Sequence, residues 1–291
     1  MNQDRKQAAI DAYDRFTHGL IDRRSMLERM GLVAGGAAAA EALIAAIAAS
    51  PAAAAMTSAV DPRLIIRRGP IGFGSELSGY IAVRKGRAKR GVVLLIHENR
   101  GLNAHIEDVA RRLALAGLFV VAPDQLSLAG GTPADEDQAR ELIGKLDLGA
   151  AVGRTVALGA ALKSRLRHGN GRLGMVGFCW GGAFVDRVAV AAGTTLDAGV
   201  AYYGPAPAPV DAVQVQAPLM LHYAGLDTRV AETAGPWVTA LRAAGKTVEA
   251  FTYPGVNHAF NNDTSAERYD QAAAALAWGR TVDFLHRHLG R

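Results

Sequence analysis

A single cysteine, Cys179, occurs in 291 residues. That scarcity excludes an intramolecular disulfide framework, a multi-cysteine metal site and a C-x-x-C redox pair. Aromatic residues are few, at 6%, and charged residues make up 20% with a net charge of +5. Lysines and arginines are scattered among aspartates and glutamates, with no basic stripe or aromatic-interleaved basic run, which argues against a nucleic-acid partner. A long clean apolar run is also missing. The stretch 31–49 is mainly alanine and glycine and carries Glu41, so no stable membrane span is expected. What is abundant is small and apolar: 50% of the residues are hydrophobic and 33 are glycine. That composition suits a sheet packed under Ala-, Val- and Leu-bearing helices, and the length is compatible with one layered core.

Residues 1–56 differ in composition from residues 57–291, which are expected to form a single α/β domain. In the first part, Asp22-Arg23-Arg24-Ser25-Met26-Leu27-Glu28 precedes the apolar stretch, and Ser50-Pro51 and alanines 52–55 follow it. Paired arginines, a modest apolar segment and an A-x-A-like site are what a twin-arginine export signal looks like, which places the protein in the periplasm or outside the cell. Met26 stands where an aromatic is usual and Glu28 where a lysine is. The competing reading is an Ala-rich amphipathic helix docked on the domain of a cytoplasmic protein.

Beyond residue 62 the pattern is regular. Segments 64–68 and 78–83 read as two short strands at a sheet edge, plausibly antiparallel. Segments 92–97, 119–123, 173–178, 199–203, 219–223 and 248–253 are short, continuously apolar runs, as expected for strands covered on both faces. Helical patterns alternate with them at 106–116, 135–146, 150–167, 182–192, 231–244 and 266–288. Such alternation implies parallel βαβ units with right-handed crossovers and helices on both faces of the sheet. Ligand sites in such sheets lie at the carboxyl ends of the strands.

Cys179 falls at one of those ends, in Gly177-Phe178-Cys179-Trp180-Gly181-Gly182. An apolar strand, a sharp turn with small residues at minus two and plus two, and a following helix make a nucleophile elbow. The helix N-terminus would favour a thiolate and supply backbone donors to an oxyanion. The bland alternatives are a small buried side chain or a Gly-rich turn that holds phosphate. A thiol nucleophile needs a base, and the base an orienting carboxylate. His258 follows the last expected strand and Asp227 the one before it, giving the chain order nucleophile, acid, histidine. His258 as a polar loop residue and Asp227 as a simple helix cap remain open. His222 lies inside a strand and reads as a satisfied core residue. After the first parallel strand comes His97-Glu98-Asn99-Arg100-Gly101, where the Asn99 N–H could join that of Trp180 in an oxyanion hole, and where Glu98 is either a carboxylate beside the thiol or a solvated loop residue.

With these segments, together with Ala122-Pro123-Asp124, Tyr202-Tyr203-Gly204, Gly225-Leu226-Asp227 and Pro254-Gly255-Val256-Asn257-His258-Ala259-Phe260, the chain resembles the dienelactone hydrolases (carboxymethylenebutenolidases) over residues 64–289. The resemblance implies an α/β-hydrolase fold and a cysteine hydrolase of activated esters or lactones, working on a small-molecule substrate without cofactor or metal. It implies Cys179 as nucleophile, His258 as base, Asp227 as its orienter, and Glu98 as the residue that meets the thiol in the resting enzyme. One departure concerns the substrate: Asn262 stands where a carboxylate-binding arginine is expected, and Arg140 matches another such arginine only loosely. A twin-arginine-like leader also occurs in a subgroup of that family. The reading from another class is a non-catalytic small-molecule binder or sensor on the same fold. A thiol-redox role would require a partner thiol from another molecule.

Overall fold

The computed structural model describes residues 3–48, 55–86, 89–166 and 169–290. An eight-stranded sheet runs through the domain in the order β1-β2-β4-β3-β5-β6-β7-β8. Its strands are β1 (Leu64–Gly72), β2 (Ser75–Arg84), β3 (Arg90–Ile96), β4 (Phe119–Pro123), β5 (Gly169–Phe178), β6 (Ala198–Tyr202), β7 (Leu219–Ala224) and β8 (Val248–Tyr253). As expected from sequence, β1 pairs antiparallel with β2 at one edge; β2 in turn pairs antiparallel with β4, and from β4 through β3 to β8 every pairing is parallel.

Strand side chains alternate between two cores. Val92, Leu94 and Ile96 of β3 face the same apolar layer as Met175, Phe184 and Trp237, while Val93 and Leu95 face Val109, Leu113, Tyr202 and Phe284 on the other side. This period of two, with both faces covered, is why β3 contains no polar residue beyond its first position, Arg90.

Six helices cover the sheet: α4 (Ala104–Leu115), α5 (Glu136–Gly144), α6 (Leu148–Arg165), α7 (Trp180–Ala191), α8 (Thr228–Ala243) and α9 (Gln271–Leu289). Five of them begin on an Asn or Asp whose side chain accepts the backbone N–H three residues on: Asn103, Asp135, Asp147, Asp227 and Asp270. Those caps place several starts earlier than the apolar periodicity alone does. The last helix departs the other way, starting at Gln271 and not at 266, because residues up to Asp270 form turns in which the Ser265 hydroxyl donates to the Ile47 carbonyl.

The first residues form three further helices, α1 (Gln3–Thr17), α2 (Arg23–Ala34) and α3 (Ala37–Ile47). The Ala-rich stretch is therefore not one helix. Gly35, with φ 83°, ends α2, and α3 leaves at 106° to it. Ile10, Tyr13, Phe16, Met26, Met30 and Ile47 form a small core of their own. Among the described residues no single helix is long and apolar enough to cross a membrane. The A-x-A-like site expected at 52–55 lies, but for Ala55, outside the described residues, as do Ser50 and Pro51.

Candidate active site

Four strands deliver the candidate residues to one end of the sheet. Glu98 and Asn99 follow β3, Cys179 follows β5, Asp227 follows β7, and His258 follows β8. At Cys179 the backbone turns sharply, with φ 55° and ψ −115°, a conformation that costs a non-glycine residue on the order of 1–3 kcal/mol. Crossing of strand and helix explains the flanking glycines. A Cβ at Gly177 would lie 2.1 Å from the Gly181 carbonyl oxygen, and one at Gly181 would lie 2.5 Å from the carbonyl oxygens of Ile96 and His97. Trp180 is the first residue of α7, so its N–H has no acceptor within the helix. Its ring is stacked between His97, at 5.6 Å, and Phe184, at 5.0 Å.

His258 and Asp227 are paired as expected. Nδ1 of His258 lies 2.5 Å from Oδ2 of Asp227, and both side chains are buried. The other oxygen of Asp227 accepts the Val230 N–H at 3.1 Å, so the carboxylate caps α8 and orients the imidazole at once. Burial alone would raise the Asp227 carboxyl, but His258 and Arg229 overcome it and hold the pKa at about 2. Burial likewise opposes charge on His258, yet the sulfur of Cys179, once ionised, and the carboxylate of Asp227 outweigh it and push the imidazole up to about 10, which favours the imidazolium as soon as the thiol gives up its proton. Nε2 of His258 is buried with no hydrogen-bond partner among the described residues, and a ring nitrogen of His258, one of His18 and Sγ of Cys179 lie within 4.8 Å of one another.

The thiol's hydrogen-bond partner is a residue that spacing did not single out. Nε2 of His18, just past the end of α1, lies 3.4 Å from Sγ of Cys179. Its Nδ1 is 2.6 Å from the Asp14 carbonyl oxygen, which can only accept. Nδ1 therefore carries the proton and Nε2 offers a lone pair to the thiol. Burial, then the nearby charges of His258 and Arg229, hold His18 well below the ordinary histidine range, in the neutral form. In sequence His18 is one polar residue among many in a mixed-charge stretch, and only Gly19 after it marks a helix end.

Glu98 and Asn262 sit beside the thiol but bond to each other. Nδ2 of Asn262 donates to Oε2 of Glu98 at 2.9 Å, and both line a cavity of about 20 Å³ with Cys179, His18 and His258. The contact of Glu98 is thus Asn262, and that of the thiol is His18. Arg140 donates to the Phe16 carbonyl at 3.1 Å and stacks over the Phe16 ring at 4.2 Å. His222 is the core residue expected, with Nδ1 against the Tyr253 hydroxyl and Nε2 against Thr281. By donor type His18, Cys179 and His258 would suit a soft cation.

Comparison with known proteins follows the same line. A model of the dienelactone hydrolase family matches residues 77–289. A Yersinia pestis protein named "Putative carboxymethylenebutenolidase" is 34% identical over 232 residues, covering 74% of this chain and 85% of that one. One of the same name from Methylorubrum extorquens is 32% identical over 210 residues, covering 67% of this chain and 72% of the other. Among solved structures, a "Putative Dienelactone Hydrolase" from Klebsiella pneumoniae superposes with a TM-score of 0.68 at 27% identity, covering 77% of this chain and 99% of its own. The matched residues run from within β2 to the end of α9 and leave out β1 and α1 to α3.

Proposed function

Because the chain belongs to the dienelactone hydrolase family, we propose that it cleaves activated esters or lactones through a thioester on Cys179, with His258 carrying the proton and Asp227 orienting it. The chain is a hydrolase of the carboxylic ester or lactone type, and has the mostly parallel α/β-hydrolase sheet of that family. The observation that carries the finer reading is His258: Nδ1 is fixed on a buried carboxylate, while Nε2 is buried, unpartnered and close to the sulfur.

In the proposed cycle the thiol proton passes to Nε2 of His258 as sulfur attacks the carbonyl carbon, and the C=O electron pair moves onto oxygen. That oxyanion is met by the N–H groups of Trp180 and Asn99. The tetrahedral adduct collapses, the imidazolium gives its proton to the departing alkoxide, and a thioester remains. Water then attacks the thioester carbonyl, losing its proton to His258, and the second collapse expels sulfur, which regains the proton as the acid leaves. Throughout, Asp227 keeps the Nδ1 proton in place and stabilises the imidazolium. Sulfur leaves a tetrahedral intermediate more readily than an alkoxide does, so simple alkyl esters are expected to be poor substrates and enol-lactones or aryl esters good ones. Turnover of an activated aryl ester and of an unsaturated lactone by the parent, Cys179→Ser and Cys179→Ala proteins tests the assignment. Retention of most activity in Cys179→Ala overturns it.

Residues 1–56 carry a second proposal, export by a twin-arginine route, supported by Arg23-Arg24 and the apolar stretch that follows. Docking of α1 and α2 on the domain supports retention instead: Lys6 of α1 pairs with Glu267 at 2.6 Å and Arg23 of α2 with Asp137 at 3.0 Å. The intact mass of protein recovered from its native compartment decides between them.

A further inference from the structure

The space around the thiol is too small for a substrate. The cavity shared by Cys179, His18 and His258 has a volume of about 20 Å³, room for roughly one water. His18 stands where an attacked carbonyl group would have to sit, 3.4 Å from Sγ, with its ring edge-on to His258 at 4.8 Å between centroids. Next to it lies a cavity of about 390 Å³ walled by the apolar side chains of Ile143, Leu148, Trp180 and Phe184. Thr17, His18 and Asn99 line both spaces, which places His18 between them.

The partition is held by polar bonds around a movable joint. Asn99 donates to the Thr17 carbonyl at 2.8 Å, Arg140 to that of Phe16 at 3.1 Å, and Arg268 to Asp14 at 3.0 Å. Gly19 follows directly, with φ 72° and open space where a side chain would be. The buried side chains of α1 belong to the N-terminal cluster and to neither core of the domain, so undocking α1 about this joint would withdraw His18 and leave those cores in place.

We propose that in the chain that keeps residues 1–56 His18 is a gate on the thiol: docked, it covers Cys179 and takes its hydrogen bond, and withdrawn, it joins the thiol to the 390 Å³ cavity, which holds the apolar part of the ester. The guanidinium of Arg140 on that wall is turned to the Phe16 carbonyl and ring, which leaves its buried Nε as an unpartnered donor. The substrate class is therefore an ester or lactone with a bulky aryl or branched alkyl group, carrying at most one acceptor oxygen toward Arg140. With His18 withdrawn, His258 is the imidazole left beside the thiol among the described residues, so opening uncovers the sulfur and hands its proton to the base in one movement. The covering of the thiol stands on geometry alone, whereas the pocket rests on the hydrolysis proposed above.

Two readouts on the full chain separate these parts. The first is the rate at which iodoacetamide alkylates Cys179. His18→Ala is expected to raise it about tenfold or more over the parent, and His18→Gln, long enough to keep the cover, to stay close to the parent. Arg268→Ala, which cuts the Asp14 tether from the domain side, is expected to move the rate the same way as His18→Ala. Parent rates in both alanine variants overturn the gate, whether or not the protein hydrolyses esters. The second is the ratio of kcat/KM for a bulky aryl ester to that for the matching acetate ester. Leu148→Trp, which fills the cavity, is expected to lower this ratio about tenfold, mainly through KM. An unchanged ratio overturns the pocket, while loss of all turnover in Cys179→Ala still upholds the nucleophile.

Discussion

In the domain, Val92, Leu94 and Ile96 face one core and Val93 and Leu95 another, each built from distant strands and helices. In the N-terminal segment, Ile10, Tyr13, Phe16, Met26 and Met30 cluster with one another, and the segment meets the domain through ion pairs, carbonyl acceptors and arginines laid over aromatic rings. Apolar burial is insensitive to salt and hard to undo locally, whereas exposed and half-buried polar contacts are individually weak and screened. Cys179, His258 and Asp227 therefore stand on a rigid scaffold, and the residue covering them stands on a detachable one.

The largest expected effect falls on the rigid half. Cys179→Ala should lower turnover of an activated aryl ester by at least about 10³-fold, with the fold intact by circular dichroism. Asp227→Asn comes next. Asparagine still caps α8, so stability should change little, while the imidazole loses its orienting carboxylate and kcat falls by roughly 10²- to 10⁴-fold. Asp227→Ala adds the loss of the cap, about 1 kcal/mol in a denaturant titration.

The third expectation probes the scaffold by pH. Asp186 in α7 is fully buried, and burial pushes its carboxyl up to about 7 against the opposing pull of the Trp237 indole N–H and the Arg187 guanidinium. Because the folded state holds that proton more tightly than the unfolded chain, this group favours folding most below about pH 4 and costs stability as pH rises toward 7. Asp186→Asn should therefore stabilise the protein at pH 8 by on the order of 2–4 kcal/mol and have little effect at pH 4, measured as unfolding midpoints. The smallest effect belongs to the docked segment. Arg268→Ala, or raised salt, should speed hydrogen exchange in α1 while leaving β3 and β5 unchanged, in keeping with about 1–2 kcal/mol of docking.

Much of the fold was legible in the sequence because continuous apolar strands and Gly-flanked turns have local causes. The edge position of β1 and β2, the parallel order of the remaining strands and the elbow at Cys179 all followed from short-range pattern. The pairing of His258 with Asp227 was legible from chain order, since each follows a strand at the same end of the sheet. Helix starts drifted by two or three residues where Asp147 or Asp227 caps ahead of the apolar periodicity. Contacts across long separations were not legible. His18 reaches Cys179 from 161 residues away, and Glu98 bonds Asn262 from 164 residues away. Neither pairing leaves a spacing rule in the chain. Gly35-Gly36 inside the apolar stretch did carry a local signal for the sharp bend between α2 and α3, masked by the alanines on both sides.

Mass spectrometry of the protein quenched during its first turnovers of an aryl ester tests the covalent step most directly. An added acyl mass on the peptide containing Cys179, discharged on longer incubation and missing from Cys179→Ser, is the expected result. Steady hydrolysis by the parent with no acyl mass on that peptide at any time would contradict it.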